Sequence, residues 1–186
     1  MKQHIAFIGS SVADVIIRIP HLPVRQEDIN IESQTLSLGG CAFNAAWMCR
    51  LLGGDPLFFS PVGTGIYGDF VRRQLQEHRI DILLESKEEN GCCFCLVESD
   101  GERTFLSHHG AEYRFQKEWF SLLDSYGVDT VYVRSGAGRE NWHIHSRLSA
   151  KASAAYHLFR SRSTTVRTFA RLYQDAVQPA LHTTSK

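Results

Sequence analysis

Gly39-Gly40-Cys41-Ala42-Phe43-Asn44-Ala45-Ala46, followed by Leu52-Gly53-Gly54, is the stretch of this sequence that decides the fold. Paired glycines before a helix let the backbone approach a ligand closely and leave free N–H groups at the helix start. The amide of Asn44 could cap this helix or hydrogen-bond a hydroxyl group. On these residues alone, an ordinary loop-to-helix junction is an equally good interpretation.

Apolar residues around this stretch predict alternating strands and helices. Ala45, Met48, Cys49 and Leu52 have helical spacing and predict a helix over 44–52 with one apolar face. Asp100-Gly101 lies between two β-prone runs and predicts a hairpin over 92–107. The other predicted strands are 4–9, 14–19, 34–38, 57–62, 80–84 and 129–133, and the other predicted helices are 69–78, 115–123, 150–159 and 166–177. This alternation indicates an α/β sheet with a small additional β-structure that includes the hairpin.

Charge divides the chain near Val133. Residues 134–186 contain nine Lys or Arg and two acidic residues, so their net charge is +7, whereas residues 1–133 carry −7. After the predicted strand 129–133 the hydrophobic periodicity also weakens. We therefore predict a folded part over 1–133 and an atypical basic tail over 134–186 that is out of frame or disordered.

Composition argues against several protein classes. No apolar run approaches the roughly 20 residues that cross a bilayer, and no secretory signal is visible, so we expect a cytoplasmic protein without a membrane partner. The five cysteines are an odd number and do not form a disulfide pattern. Cys92, Cys93 and Cys95 lack a usual zinc-ligand spacing, and buried strand thiols are the better interpretation.

The glycine motif, with Leu52-Gly53, Val62-Gly63 and Gly68 after it, resembles the N-terminal signature of the PfkB (ribokinase-like) carbohydrate kinase family. Three further segments match that family in consistent order, and the resemblance covers about residues 4–133. These segments are Gly9-Ser10-x-x-x-Asp14, Gly101-Glu102-Arg103-Thr104-Phe105 and Gly110-Ala111.

The resemblance implies an α/β fold, a ribokinase-like three-layer Rossmann-type sheet with a small β-sheet lid, of which this chain carries a truncated form. The lid would comprise about 13–19, 34–38 and 92–107. The implied reaction moves the γ-phosphate of ATP, with Mg²⁺, to a hydroxyl of a sugar or similar alcohol. In relatives the lid covers the sugar and often forms a dimer contact, so a homodimer through the lid strands is expected.

Specific positions of this sequence match the family's substrate-binding residues. Asp14 matches the acidic residue that bonds sugar hydroxyls, and a carboxylate can accept from two vicinal hydroxyls. Gly39, Gly40 and Asn44 match the substrate loop. His109 follows the hairpin and could reach a substrate across the lid, although an ordinary loop histidine is the simpler interpretation.

The sequence departs from the family pattern at two places. Gly65 stands where many relatives carry an acidic residue, which leaves the substrate class open. The family's catalytic Asp, in a Gly-Ala-Gly-Asp motif near the end of the chain, has no counterpart. Gly136-Ala137-Gly138 imitates that motif, but it comes far too early and is followed by Arg139, which cannot act as a base. We therefore expect the ATP-binding and catalytic half to be absent and the isolated chain to be inactive.

Two other hypotheses remain beside the sugar-kinase one. The chain could be a non-catalytic remnant that binds a sugar or dimerises through its lid strands. It could instead bind nucleic acid through the basic tail, although that segment lacks interleaved aromatic residues and the whole chain has no net charge.

Overall fold

The computed structural model describes residues 5–128, 130–134 and 156–158, which form ten strands and three α-helices. The strands are β1 (Ile5–Gly9), β2 (Val12–Arg18), β3 (Ser33–Gly39), β4 (Leu57–Phe59), β5 (Pro61–Thr64), β6 (Leu84–Glu89), β7 (Cys92–Val97), β8 (Arg103–His108), β9 (Thr130–Arg134) and β10 (Tyr156–Leu158). The helices are α1 (Cys41–Leu51), α2 (Gly65–Glu77) and α3 (Ser121–Ser125), with short 3₁₀ turns at Ala111–Tyr113 and Lys117–Phe120.

The main sheet is parallel throughout, in the order β10-β9-β1-β4. β1 is central and mostly apolar, as a strand covered on both faces must be. Its alternate side chains enter two separate cores: Phe7 packs with the residues of α1 and α2, whereas Ala6 and Ile8 pack towards α3. The predicted three-layer α/β arrangement is confirmed.

The lid is a separate four-stranded sheet in the order β3-β2-β7-β8. Its central pair, β2 and β7, is parallel, and both edge strands pair antiparallel to it. The hairpin between β7 and β8 forms at the predicted turn, where Gly101 has a φ of 89° and Asp100 accepts a hydrogen bond from the Glu102 N–H. A small β-sheet beside the main sheet was predicted from the sequence, and the structure contains it.

Helix α1 differs from its prediction in the face that it buries. Ala42, Phe43, Ala45 and Ala46 are buried, whereas Met48 is 46% exposed and Leu52 45% exposed. The predicted apolar stripe through 45, 48, 49 and 52 was therefore wrong for half of its members. Small alanine side chains allow α1 to approach the sheet closely, and helical periodicity does not detect this.

Three other predicted boundaries were wrong because long-range pairing overrides local pattern. The strand predicted over 57–62 is divided into β4 and β5 at Ser60, whose side chain hydrogen-bonds Ser11. The strand predicted over 80–84 begins only at Leu84, where β6 pairs with β5. Helix α2 begins at Gly65, four residues earlier than predicted, so Asp69 lies inside it and caps nothing.

The segment 134–186 is described only in part. β10 (Tyr156–Leu158) pairs in parallel with β9, so three residues that were predicted to be helical belong to the main sheet. The Ser135–Arg139 stretch and the helix predicted over 166–177 lie outside the described residues. Within the described ranges, no helix has the length and apolar character needed to cross a membrane.

Candidate functional site

Asp14 lies on β2 where the lid meets the main body. It pairs in register with Ser37 of β3 and Cys93 of β7. Its side chain is half-buried, and within the described ranges it takes part in no hydrogen bond or ion pair. Burial raises the pKa of this carboxyl above its usual value. A desolvated carboxylate without a partner is available to accept hydrogen bonds from a ligand.

The paired glycines are required by this geometry. A Cβ atom at Gly39 would overlap the Oδ2 atom of Asp14, so a side chain there would displace the carboxylate. Gly40 has a φ of 99°, which L-residues with side chains rarely adopt, and a Cβ there would overlap the Ser10 carbonyl oxygen. The motif therefore brings the start of α1 against both the β1–β2 turn and Asp14.

Asn44 lies one turn into α1 with an exposed side chain. Its backbone N–H donates to the Gly40 carbonyl at 2.9 Å. Gly40, not Asn44, occupies the N-cap position, so the capping interpretation of the amide was wrong. In the described part of the chain the Asn44 amide makes no hydrogen bond. Asn44 lies four residues after Gly40 on α1, and Asp14 lies against Gly39 from β2.

His109 directly follows β8, and its ring stacks on Tyr113 with a centroid separation of 4.0 Å. The Tyr113 hydroxyl hydrogen-bonds the Ser10 side chain, while burial, the larger effect, raises its pKa. Tyr113 also lies within electrostatic reach of Cys41 and Cys93. Through Tyr113, His109 is therefore linked to the same region as Asp14.

The cysteines near this region are free thiols. Cys93 lies close enough to Asp14 for their charges to interact, and it accepts a hydrogen bond from the Ser107 hydroxyl at 3.5 Å. Burial raises the pKa of the Cys93 thiol. Among the described residues, no group of three or more His, Cys, Asp or Glu side chains is arranged to hold a metal ion.

Glu112 joins two of the connections between the lid and the main body, the segment before β7 and the segment after β8. Its side chain is fully buried and accepts hydrogen bonds from the N–H groups of Gly91 (2.8 Å) and Gly110 (2.9 Å) and from the Asn90 amide (3.2 Å). Asn90 in turn accepts from the Gly63 N–H at 2.5 Å. The chain enters β7 just after Gly91 and leaves β8 just before Gly110, so one carboxylate ties both crossings together.

Sequence reasoning missed Tyr113 and Glu112. Both follow the Gly110-Ala111 pair that carried the family resemblance, which was a usable signal. The burial of Glu112 and its role in joining two chain segments could not be predicted from composition, because an acidic residue is rarely fully buried unless it has partners. Two of its three partners, Asn90 and Gly91, lie about 20 residues away in sequence and are brought near only by the fold.

Comparisons with known proteins agree with this architecture. The sequence model described as pfkB family carbohydrate kinase matches residues 2–177, a range that extends beyond Val133 into the basic segment. The uncharacterized sugar kinase YegV of Escherichia coli K12 is 35% identical over 123 residues, covering 66% of this chain and 38% of the relative. The ribokinase of Haemophilus influenzae is 25% identical over 114 residues, covering 60% of this chain and 37% of the relative.

Solved structures show the same fold at low identity. The ribokinase from Giardia lamblia superposes with a TM-score of 0.70 at 21% identity, covering 83% of this chain and 54% of that one. The Arabidopsis thaliana ribokinase complexed with ribose and ATP gives 0.66 at 19% identity, covering 84% of this chain and 53% of that one. The chain thus spans about half the length of these structures and less than half of the two sequence relatives.

Proposed function

The chain belongs to the pfkB family of carbohydrate kinases. We propose that the base of its lid, around Asp14 and the Gly39-Gly40 pair, binds the acceptor alcohol of an ATP-dependent sugar phosphorylation. The observation that carries this proposal is the Asp14 carboxylate, which is half-buried, has no partner in the described ranges and is seated against Gly39. A desolvated carboxylate costs free energy in the folded state, and a function that needs it explains that cost.

Asp14 would accept hydrogen bonds from two neighbouring hydroxyl groups of the acceptor. Hydrogen bonds to a charged acceptor contribute roughly 1.5–3 kcal/mol each, more than neutral ones. The absence of a side chain at Gly39 and Gly40 would let the acceptor lie close to the backbone at the start of α1. The free amide of Asn44 supplies a donor and an acceptor on the same loop, and His109 would bound the site from the β8 side.

The lid would cover the bound acceptor. Its strands connect to the body at four places, and two of these, the β1–β2 turn and the Gly39-Gly40 pair, adjoin the candidate site. Covering the acceptor would exclude water, which otherwise competes as the phosphate acceptor.

ATP and Mg²⁺ are implied by the family, and the Arabidopsis ribokinase was solved in complex with ribose and ATP. Among the described residues, no group of three or more His, Cys, Asp or Glu side chains is placed to hold a metal ion. We therefore place neither group on them and limit the proposal for this part of the chain to acceptor binding.

We further propose that the 186-residue chain binds an acceptor without transferring phosphate. In support, the sequence contains no Gly-Ala-Gly-Asp, and the Gly-Ala-Gly at 136–138, which comes far too early for that motif, is followed by Arg139, which cannot take a proton from a hydroxyl. A phosphotransfer assay with sugar, ATP and Mg²⁺ should show no turnover above background. Turnover by the purified chain would contradict this part of the proposal and leave the acceptor site standing.

Calorimetric titration of the chain with a panel of monosaccharides tests the acceptor site itself. Asp14→Asn should weaken the binding of the best sugar about 10-fold or more, because it removes the charge that strengthens two hydrogen bonds. Gly39→Ala should weaken binding comparably by displacing the carboxylate. Asp69→Asn, which removes an exposed carboxylate from α2, is the matched control and should leave affinity unchanged. Equal affinity for wild type and Asp14→Asn would reject the site.

A further inference from the structure

The two ends of the lid hairpin meet at a point where backbone touches backbone. A Cβ atom at Gly91, just before β7, would overlap the His108 carbonyl oxygen, and one at Gly110, just after β8, would overlap the Gly91 nitrogen. Only glycine leaves room for this contact. The segment by which the chain enters the hairpin and the segment by which it leaves are therefore packed directly against each other.

Glu112 binds both segments with the two oxygen atoms of one carboxylate. Its Oε1 accepts a hydrogen bond from the Gly110 N–H at 2.9 Å. Its Oε2 accepts from the Gly91 N–H at 2.8 Å and from the Asn90 amide at 3.2 Å. Because the side chain is fully buried, the loss of one of these bonds would leave a buried donor without a partner. The carboxylate therefore fixes the entry of the hairpin relative to its exit.

The same hydrogen bonds reach an element outside the lid. The Asn90 side chain accepts from the Gly63 N–H at 2.5 Å, and the Asn90 backbone N–H donates to the Thr64 carbonyl at 3.0 Å. Gly63 and Thr64 belong to β5, which leads directly into α2. Through Asn90, Glu112 thus connects both ends of the lid hairpin to a strand that is not part of the lid.

A second contact anchors the other half of the lid. The Tyr113 hydroxyl hydrogen-bonds the side chain of Ser10, in the turn between β1 and β2. β2 carries Asp14, which pairs in register with Cys93 of β7. Since β2 and β7 are the central pair of the lid sheet, the distance between Asp14 and the start of α1 depends on both anchors.

We propose that Glu112 and Tyr113 are positioning residues for the acceptor site: they hold the lid strand of Asp14 at a fixed place against α1. The inference rests on the proposed function and adds two residues to it. Glu112 is fully buried, so it acts through the backbone groups that it binds. A preorganised site loses little conformational freedom on binding, and a loosened site binds more weakly even though every contacting group is still present.

A comparison of two variants with destabilised folds tests the role of Glu112. Calorimetry measures the binding of the best sugar of the monosaccharide panel, at a temperature where circular dichroism shows each variant to be folded. Glu112→Gln should weaken binding about fivefold or more, because it loosens the hairpin. Leu123→Ala is the control: it opens a cavity in the core around α3, whose described members all lie outside the lid strands, and should change the affinity by less than about twofold.

Tyr113→Phe, Ser10→Ala and the double variant test the second anchor, and they decide the inference alone if Glu112→Gln does not fold. Each single variant should weaken binding about threefold, and the double variant should lose no more than either, because all three break the same hydrogen bond. Tyr126→Phe removes a hydroxyl from a tyrosine that is 45% exposed and should leave the affinity unchanged.

Each outcome decides a different statement. If Glu112→Gln weakens binding no more than Leu123→Ala does, the positioning role of Glu112 is overturned and the acceptor site is left standing. Unchanged affinity in Tyr113→Phe, or losses that add in the double variant, overturn the positioning role of Tyr113. A wild-type chain that binds no sugar of the panel rejects the proposed function, and the inference with it.

Discussion

At the scale of single residues, the fold places the Asp14 carboxylate in a partly desolvated position, and the glycine beside it leaves the space that the carboxylate occupies. Asp14 has no partner among the described residues, and the space it occupies would be filled by any side chain at Gly39. The two positions are 25 residues apart in sequence, yet β2 and β3 bring them together. A desolvated charge that lowers stability is expected where function requires it.

Asp14→Asn should stabilise the chain at neutral pH while weakening acceptor binding. Because burial raises the folded-state pKa above 3.8, ionised Asp14 destabilises the fold at neutral pH. This cost is absent below the unfolded-state pKa and develops as pH rises through the folded-state pKa. The melting temperature of the variant should therefore exceed that of the wild type by a few degrees at pH 7, and the difference should vanish towards pH 3.5.

Thermal unfolding followed by circular dichroism from pH 3.5 to pH 8 measures this difference. Asp69→Asn should show no comparable gain, since its carboxylate is exposed on α2. A variant that is less stable than the wild type at pH 7 would show that Asp14 is a stabilising residue with partners, contrary to our interpretation.

At the scale of elements, the chain passes between the main body and the lid four times, and these connections form two different pairs. One pair is formed by the β1–β2 turn and the Gly39-Gly40 loop, which contact each other through backbone at Ser10. The other pair is formed by the segments before β7 and after β8, which Glu112 joins by hydrogen bonds. Tyr113 spans the two pairs, because it adjoins Glu112 in sequence and its hydroxyl bonds Ser10. The orientation of the lid therefore depends on a few polar contacts at its base.

Glu112→Gln should destabilise the chain by about 2 kcal/mol or more. The substituted amide presents one acceptor oxygen instead of two, so a buried N–H group of Gly91 or Gly110 loses its partner. Urea unfolding at neutral pH measures the loss. Glu118→Gln removes an exposed carboxylate nearby and should change stability by less than about 0.5 kcal/mol. Equal stability of the two variants would mean that the Glu112 network contributes little.

At the scale of the whole molecule, both edges of the lid carry exposed apolar side chains. Phe105 is 59% exposed and Leu106 56% exposed, both on the edge strand β8, and Leu36 on the opposite edge is 42% exposed. Edge strands also present unpaired backbone groups. These features support the proposal that two copies of the chain pair through their lids.

Phe105→Glu should shift the chain from dimer to monomer. A carboxylate at this position would have to be desolvated in a lid–lid interface. Size-exclusion chromatography with light scattering at micromolar concentration measures the change in mass. Ile66→Glu, which places the same charge at a 78% exposed apolar position on α2, should leave the mass unchanged. A wild-type chain that is monomeric at all concentrations would exclude lid-mediated pairing.

Much of the architecture could be predicted from sequence because its signals are local. The paired glycines before α1, the Asp-Gly turn of the lid hairpin and the apolar run of β1 each depend on a few neighbouring residues, and each lies where it was predicted. The candidate positions Asp14, Gly39, Gly40 and Asn44 came from the family resemblance that such motifs carry, and His109 came from its place after the hairpin. Their roles in binding stay predictions.

Only the tertiary structure decided which side chains are buried and which of them meet. It divided the run 57–62 between two sheets, buried the alanines of α1 in place of Met48 and Leu52, and brought the distant Gly91 N–H to the buried Glu112 carboxylate. The physical reason is that burial and hydrogen-bond satisfaction are properties of the whole packed chain. Local propensity contributes tenths of a kcal/mol per residue, whereas burying an unpaired polar group costs roughly 1–3 kcal/mol, so long-range contacts determine the result.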